Sequence, residues 1–175
     1  FWINAGYGTY GVIAAAENLR EGGDLGRTYA AITANKLLLL GLAASLFLLY
    51  GFNSKEFHAY GYDIVLLSMF LLAVVVDAYY FAVASKLLAR VAKVQMMAKI
   101  LQVAAVYLLI AGPSDYVIFA AVILATNALV ALFTAGWLIR QNGFSWCSWQ
   151  EFRSCFRRAL PFSIGIILLV SLERF

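Results

Sequence analysis

The chain has 175 residues, of which 64% are hydrophobic and only 13% charged, about half the ~25% usual in soluble domains. A soluble globule cannot hide that much apolar surface; a mean hydropathy of +0.85 and apolar runs of about 20 residues, each able to cross a ~30 Å hydrocarbon core, place the chain in a bilayer. The net charge of +4 is spread over short loops, which makes intrinsic disorder, nucleic-acid binding and cytosolic catalysis poor readings.

Six apolar segments follow in chain order. The first, 1–16, starts at Phe1 with neither an initiator Met nor a signal-peptide n-region and reads as truncated. Complete spans are expected near 29–50, 61–84, 91–112 and 116–137, and a truncated one runs from 160 to Phe175. The open ends read as a piece of a longer protein. The runs are continuous and too long for barrel strands of ~10 residues, and helices satisfy their own backbone groups in lipid. The expected fold class is therefore an all-α polytopic membrane bundle.

Within the first segment Gly6, Gly8 and Gly11 spell GxGxxG, but the dinucleotide fingerprint needs a strand before it, a helix after it and a later acid. Helix packing through small residues, Gly8 with Ala14 to Ala16, is the better account. The loop 17–28 holds Arg20 and Arg27 among Glu17, Glu21 and Asp24, a solvated and self-paired helix end. Loop 85–93 holds Lys86, Arg90 and Lys93, and 138–159 holds Arg140, Arg153, Arg157 and Arg158, whereas the intervening loops hold only Lys55. This alternation puts the three basic loops in the cytoplasm, so the first segment runs outward to inward. Gly51, Asn53 and Ser54, and then Gly112 to Asp115, supply turn chemistry at the outer connections. In 144–159, Ser148 and Glu151 have capping-box spacing. Trp149, Phe152 and Phe156 share a face while Arg153 and Arg157 fall elsewhere, which predicts a short interfacial helix on anionic lipid. Pro161 is expected in the first turn of the last span.

Three charges fall inside complete spans: Lys36, Asp77 and Lys99. A charge there costs roughly 2.5–3.5 kcal/mol even on insertion scales and is usually paired or functional. At ~1.5 Å per residue each lies about 20–24 Å below the outer end of its span, one common level in the inner third of the bilayer. A cationic pair with one counter-ion at that level suits a cavity open to the cytoplasm. Snorkelling of the lysine stems and simple pairing with Asp77 account for the same charges structurally. Arg174, with Glu173 beside it, lies deeper along the last segment, and Asn35, Gln102 and Asn127 add hydrogen-bonding groups or interhelical packing. Cys147 and Cys155 make neither a disulfide framework nor a CxxC zinc site. His58 lacks ligand partners, and no nucleophile, base and acid converge, so neither an enzyme, a metal site nor a cofactor is expected.

Taken in order, INAGYGTYGVIAAAENLREGGDLGRTYAAI, DAYYFAVASKLLARVAKVQMMAKILQ, AGPSDYVIFAAVI and FRRALPFSIGIILLVSLERF resemble the second to seventh helices of O-antigen-type polysaccharide flippases. These belong to the multidrug/oligosaccharidyl-lipid/polysaccharide exporter superfamily. The chain departs from the family pattern near the fourth-helix end, where Tyr79 or Tyr80 and Ala84 or Ser85 stand for Trp and Glu, and at Glu173, where Asp is commoner. The resemblance implies a two-lobed exporter, with 1–159 forming most of the N-terminal lobe and 160–175 starting the next helix. It implies alternating access that carries a polyprenyl-diphosphate-linked oligosaccharide across the bacterial inner membrane. Lys36, Lys99 and Arg174 would contact the anion, and Asp77 would act as counter-ion or coupling group. The implied partners are that lipid-linked sugar, membrane lipid, and polysaccharide polymerase or assembly proteins, with no nucleic acid. A drug or cation exporter of the same superfamily, which should favour carboxylates in its cavity, and a non-transporting membrane scaffold remain as alternatives.

Overall fold

The computed structural model describes residues 6–52, 71–85, 88–112 and 115–172, and every regular element among them is helical. Helix α1 spans Tyr7–Glu21, α2 Leu25–Phe52, α3 Tyr79–Ala84, α4 Leu88–Leu109, α5 Tyr116–Asn142 and α6 Trp149–Leu172. A further helical stretch, 71–76, precedes α3. Three segments are long and apolar enough to cross a membrane: Leu25–Leu46, Leu88–Leu109 and Tyr116–Asn142. The chain is thus an all-α bundle of the multi-pass membrane type.

Burial supports this assignment, because large apolar side chains are exposed in number around an apolar core that also takes in a few polar groups. Outward-facing positions are large and apolar, as at Leu42, Leu46, Val103, Leu108 and Leu132, whereas Asn35, Lys36 and Thr134 are buried. A continuous exposed surface of that kind is tolerated only in lipid or against another protein.

Local sequence sets the turns. Gly22 takes the left-handed conformation that closes α1, at φ 71°, where a side chain would be strained. Two residues later Asp24 caps α2, its Oδ1 accepting the Arg27 N–H at 3.2 Å, so the connection predicted as 17–28 shrinks to residues 22–24. Before α5, Asp115 Oδ2 accepts the N–H groups of Ala111 and Gly112 at 2.9 and 3.1 Å, in keeping with the turn expected there. Asn53, Ser54, Lys55 and His58 lie outside the described residues.

Three expectations are corrected. The first concerns α6, which is one helix from Trp149 to Leu172 with Pro161 inside it, so no separate interfacial helix precedes the last span. Proline removes one N–H from the ladder, but the side of α6 bearing Cys155 and Ala159 is buried against α1 and α2, and that packing holds the helix through the defect. The second concerns the glycines. A Cβ at Gly11 would overlap the Tyr80 ring and one at Gly6 the backbone of Ser163, whereas Gly8 faces open space. Gly6 and Gly11, with buried Ala14 and Ala15, let α1 approach α3 and α6; Gly8 and the exposed Ala16 do not. Third, the charged end of α1 is only partly self-paired, because Arg158 reaches Glu17 at 3.9 Å and Arg27 reaches Glu151 at 3.9 Å.

Candidate functional site

The site is organised by a break in the apolar helix 71–84. Helical geometry lapses at Asp77 and Ala78, directly after Val74, Val75 and Val76, whose branched side chains weakly disfavour helix. Asp77 then competes for the backbone: its Oδ1 accepts the Tyr79 N–H at 3.0 Å, a local bond that substitutes for the ladder. The interruption is satisfied from outside the helix as well. Tyr29 of α2 donates its hydroxyl to the Val76 carbonyl at 2.7 Å. Thr134 Oγ1 of α5 lies 3.3 Å from Asp77 Oδ1 and 2.9 Å from the Ala131 carbonyl, so its single proton is shared between two acceptors. An interruption in so apolar a helix is sustained where such partners re-satisfy the backbone.

Lys36 is fully buried beside this break. Its Nζ stands 4.9 Å from the centre of the Tyr80 ring, within range of a cation–π contact, and has no hydrogen-bond partner among the described residues. The Asp77 carboxylate acts on it electrostatically without closing to ion-pair distance. Next along α2, Asn35 donates to Ala31 O at 2.8 Å and to Phe152 O at 3.2 Å, so its amide joins α2 to α6.

On the other side of Asp77 a cavity of about 540 Å³ opens between the broken helix, α4 and α5; its polar walls are Asp77, Gln95, Lys99, Thr126 and Asn127. Lys99 donates to Gln102 Oε1 at 2.8 Å and is otherwise exposed. Asn127 donates to the Ile123 carbonyl of its own helix at 2.8 Å. Lys36 does not line this cavity. Asp77 therefore stands between a hidden cation and an accessible one.

Lys36 is the twelfth residue of α2, and Lys99 lies 11 residues beyond Leu88, the first described residue of α4, so each stands about 16 Å along its helix from that residue. Arg174 and Glu173 lie outside the described residues. Composition alone did not point to Tyr29, Tyr80 or Thr134; the one legible signal was Tyr29 seven residues before Lys36, two turns away on the same helix face.

A second cavity of about 510 Å³ opens at the basic end between α1, α2 and α6, with Arg27 and Arg158 facing Glu17, Asp24 and Glu151, and with Tyr10 and Cys155 on its walls. Arg27 pairs with Asp24 at 3.3 Å as well as with Glu151. Burial pushes the Cys155 thiol up to about 11. The bonds from the Ser148 backbone and hydroxyl hold the Glu151 carboxyl below its ordinary value. Its acids outnumber its arginines, so this cavity does not favour an anion. Among the described residues no cluster of His, Cys, Asp and Glu could hold a metal.

No family model, no curated protein and no solved structure matches this chain.

Proposed function

We propose that the chain forms part of an alternating-access transporter that carries a polyprenyl-diphosphate-linked oligosaccharide across the bacterial inner membrane. The observation that carries this reading is the helix break at Asp77, which sets a carboxylate between buried Lys36 and the cavity holding Lys99. Discontinuous helices at mid-membrane are where transporters assemble their sites, and an intramembrane charge without a close partner is functional by default. Structural pairing alone would bring Lys36 and Asp77 into contact and leave no reason for a cavity beside them.

In this reading Asp77 offsets Lys36 while the site is empty. A diphosphate entering from the cavity meets Lys99 first and then competes with Asp77 for the field of Lys36. Gln95, Thr126 and Asn127 offer hydrogen bonds to sugar hydroxyls, and the polyprenyl tail remains in lipid along the exposed apolar faces of α4 and α5. Arg174 is proposed as a further cationic station, and polymerase and assembly proteins as downstream partners. No residue is given a catalytic role.

The test expresses the gene encoding this chain in a bacterium lacking its own polysaccharide flippase, with Lys36→Gln, Asp77→Asn and Lys99→Gln made singly. Surface polysaccharide, lipid-linked intermediate on the inner leaflet and protein abundance are measured together. Accumulated intermediate with reduced surface polymer at normal abundance is the expected result for Lys99→Gln. A wild-type gene that never restores export, but confers resistance to cationic drugs, would move the drug exporter ahead; variants that lose abundance alone would favour the scaffold.

A further inference from the structure

We infer that the outward side of α6 at its basic end, built from Trp149, Arg153 and Arg157, binds the headgroup of an anionic phospholipid in the cytoplasmic leaflet. The inference needs only the membrane placement and not the transport reading. Charge is segregated around this helix. Arg158 is turned to Glu17, Glu151 is turned to Arg27 and Ser148, and all five of these residues except Ser148 line the inward cavity with Asp24. Arg153 and Arg157 are exposed and form no ion pair among the described residues. Glu17, Asp24 and Glu151 are thus committed inward, and the outward side of α6 at this end carries arginines and no acid.

The aromatic residues fix the level. Trp149 is 73% exposed and Trp146 82%, although each has a ring neighbour: Trp149 stacks on Phe152 at 5.2 Å and Trp146 meets Phe144 edge-on at 5.1 Å. Tryptophan left open beside arginine is the composition of a headgroup-level belt. Trp149, Arg153 and Arg157 follow at i, i+4 and i+8, so the arginines line the side of Trp149 instead of falling away from it as the aromatic pattern alone suggested. Going up that side, exposed Leu160 and Ile164 come next, within about one or two turns of Arg157. Cationic groups that give way to exposed apolar ones within a turn match a phospholipid, with its phosphate below and its acyl chain above, better than an acidic peptide, which would leave Leu160 and Ile164 uncovered.

The experiment reconstitutes the full protein with equal mole fractions of phosphatidylglycerol and phosphatidylcholine, extracts it gently and counts retained lipids of each kind by native mass spectrometry. A juxtamembrane basic residue near an anionic surface contributes about fivefold in affinity, so phosphatidylglycerol should be retained several-fold over phosphatidylcholine. Arg153→Gln/Arg157→Gln should remove the preference, whereas Arg158→Gln, on the inward side, should keep it. For the wild type alone, the preference should fall at 0.5 M salt, where screening shortens to a few ångströms. Equal retention of the two lipids, a salt-independent preference, or an equal loss in Arg158→Gln would each overturn the assignment. Should the double variant not accumulate, the wild-type salt series and Arg158→Gln still decide it.

Discussion

Tyr29 donates its hydroxyl to the Val76 carbonyl at 2.7 Å, so the first turns of α2 hold the point at which the helix ahead of α3 breaks. The Tyr29 ring also meets Phe81 edge-on at 5.8 Å, which lets the hydroxyl be tested apart from the ring. Tyr29→Phe keeps that packing and strands a carbonyl, which should cost about 1–3 kcal/mol. Thermal unfolding of the purified protein in detergent measures it. An unchanged melting temperature would mean that the Val76 carbonyl is satisfied some other way.

Lys36 and Asp77 are coupled through space without touching, and a mutant cycle should reveal it. Asp77→Asn takes away the carboxylate that acts on buried Lys36; because the two groups form no ion pair, the cost should be about 1 kcal/mol. Lys36→Met/Asp77→Asn removes both charges and should recover most of that loss. The expected interaction energy is about 1 kcal/mol or more, read from abundance and unfolding of the wild type, two single variants and the double. Additive losses would show that the two charges do not sense each other.

The bundle was legible because apolar length is a robust signal: the three spans that qualify by length and composition, Leu25–Leu46, Leu88–Leu109 and Tyr116–Asn142, fall on runs read directly from the residues. Of the candidate site, the three charges were legible as exceptions to apolar sequence, and Asp77 with Lys99 do share a cavity wall. The break at Asp77 was not, since periodicity carries no mark where a side chain outcompetes a backbone acceptor. Nor was the burial of Lys36 under Tyr80, which depends on which faces of α2 and α3 meet. Continuity of α6 was hidden for a similar reason: Pro161 reads locally as a boundary, and only packing against α1 and α2 carries the helix past it.

The glycine triplet separates packing from any ligand-binding role. Gly11→Ala would drive a Cβ into the Tyr80 ring, a buried ring that cannot yield freely, and overpacking of this kind costs about 1–3 kcal/mol. Gly8→Ala meets nothing within 4 Å and should be neutral or slightly stabilising, since alanine favours helix by up to ~1 kcal/mol. The melting temperature should therefore fall for Gly11→Ala and hold or rise slightly for Gly8→Ala. Equal losses at both positions would contradict the packing account.

The two cysteines should differ in reactivity. Cys155 is buried with its thiol pushed up to about 11, so at pH 8 roughly one molecule in a thousand carries the reactive thiolate. Burial raises Cys147 too, but that residue is only half-buried on the loop before α6. Maleimide should label the Cys155→Ala variant at least about tenfold faster than the Cys147→Ala variant. The slow site should accelerate about tenfold per pH unit until near its own pKa. Comparable rates for the two variants at pH 8 would show that the α1–α2–α6 cavity opens often enough to expose Cys155.

Helix α6 starts in a reciprocal cap, with the Ser148 N–H donating to Glu151 Oε2 at 2.6 Å and the Glu151 N–H donating to Ser148 Oγ at 3.2 Å. Ser148→Ala should cost about 0.5–2 kcal/mol at this terminus. The pH dependence follows from the lowered Glu151 pKa: the cap's ionic contribution is fully present above the ordinary carboxylate range and is lost as pH falls through the lower folded value. Acidification should therefore loosen residues 149–152 before the bundle unfolds, visible as faster backbone hydrogen exchange there after correction for intrinsic rates. Glutamine also fits the capping position, so Glu151→Gln should keep the helix start while removing its acid sensitivity. Exchange at 149–152 that still rises on acidification in Glu151→Gln would assign the effect to another group, the Glu17 partner of Arg158 being the next to test.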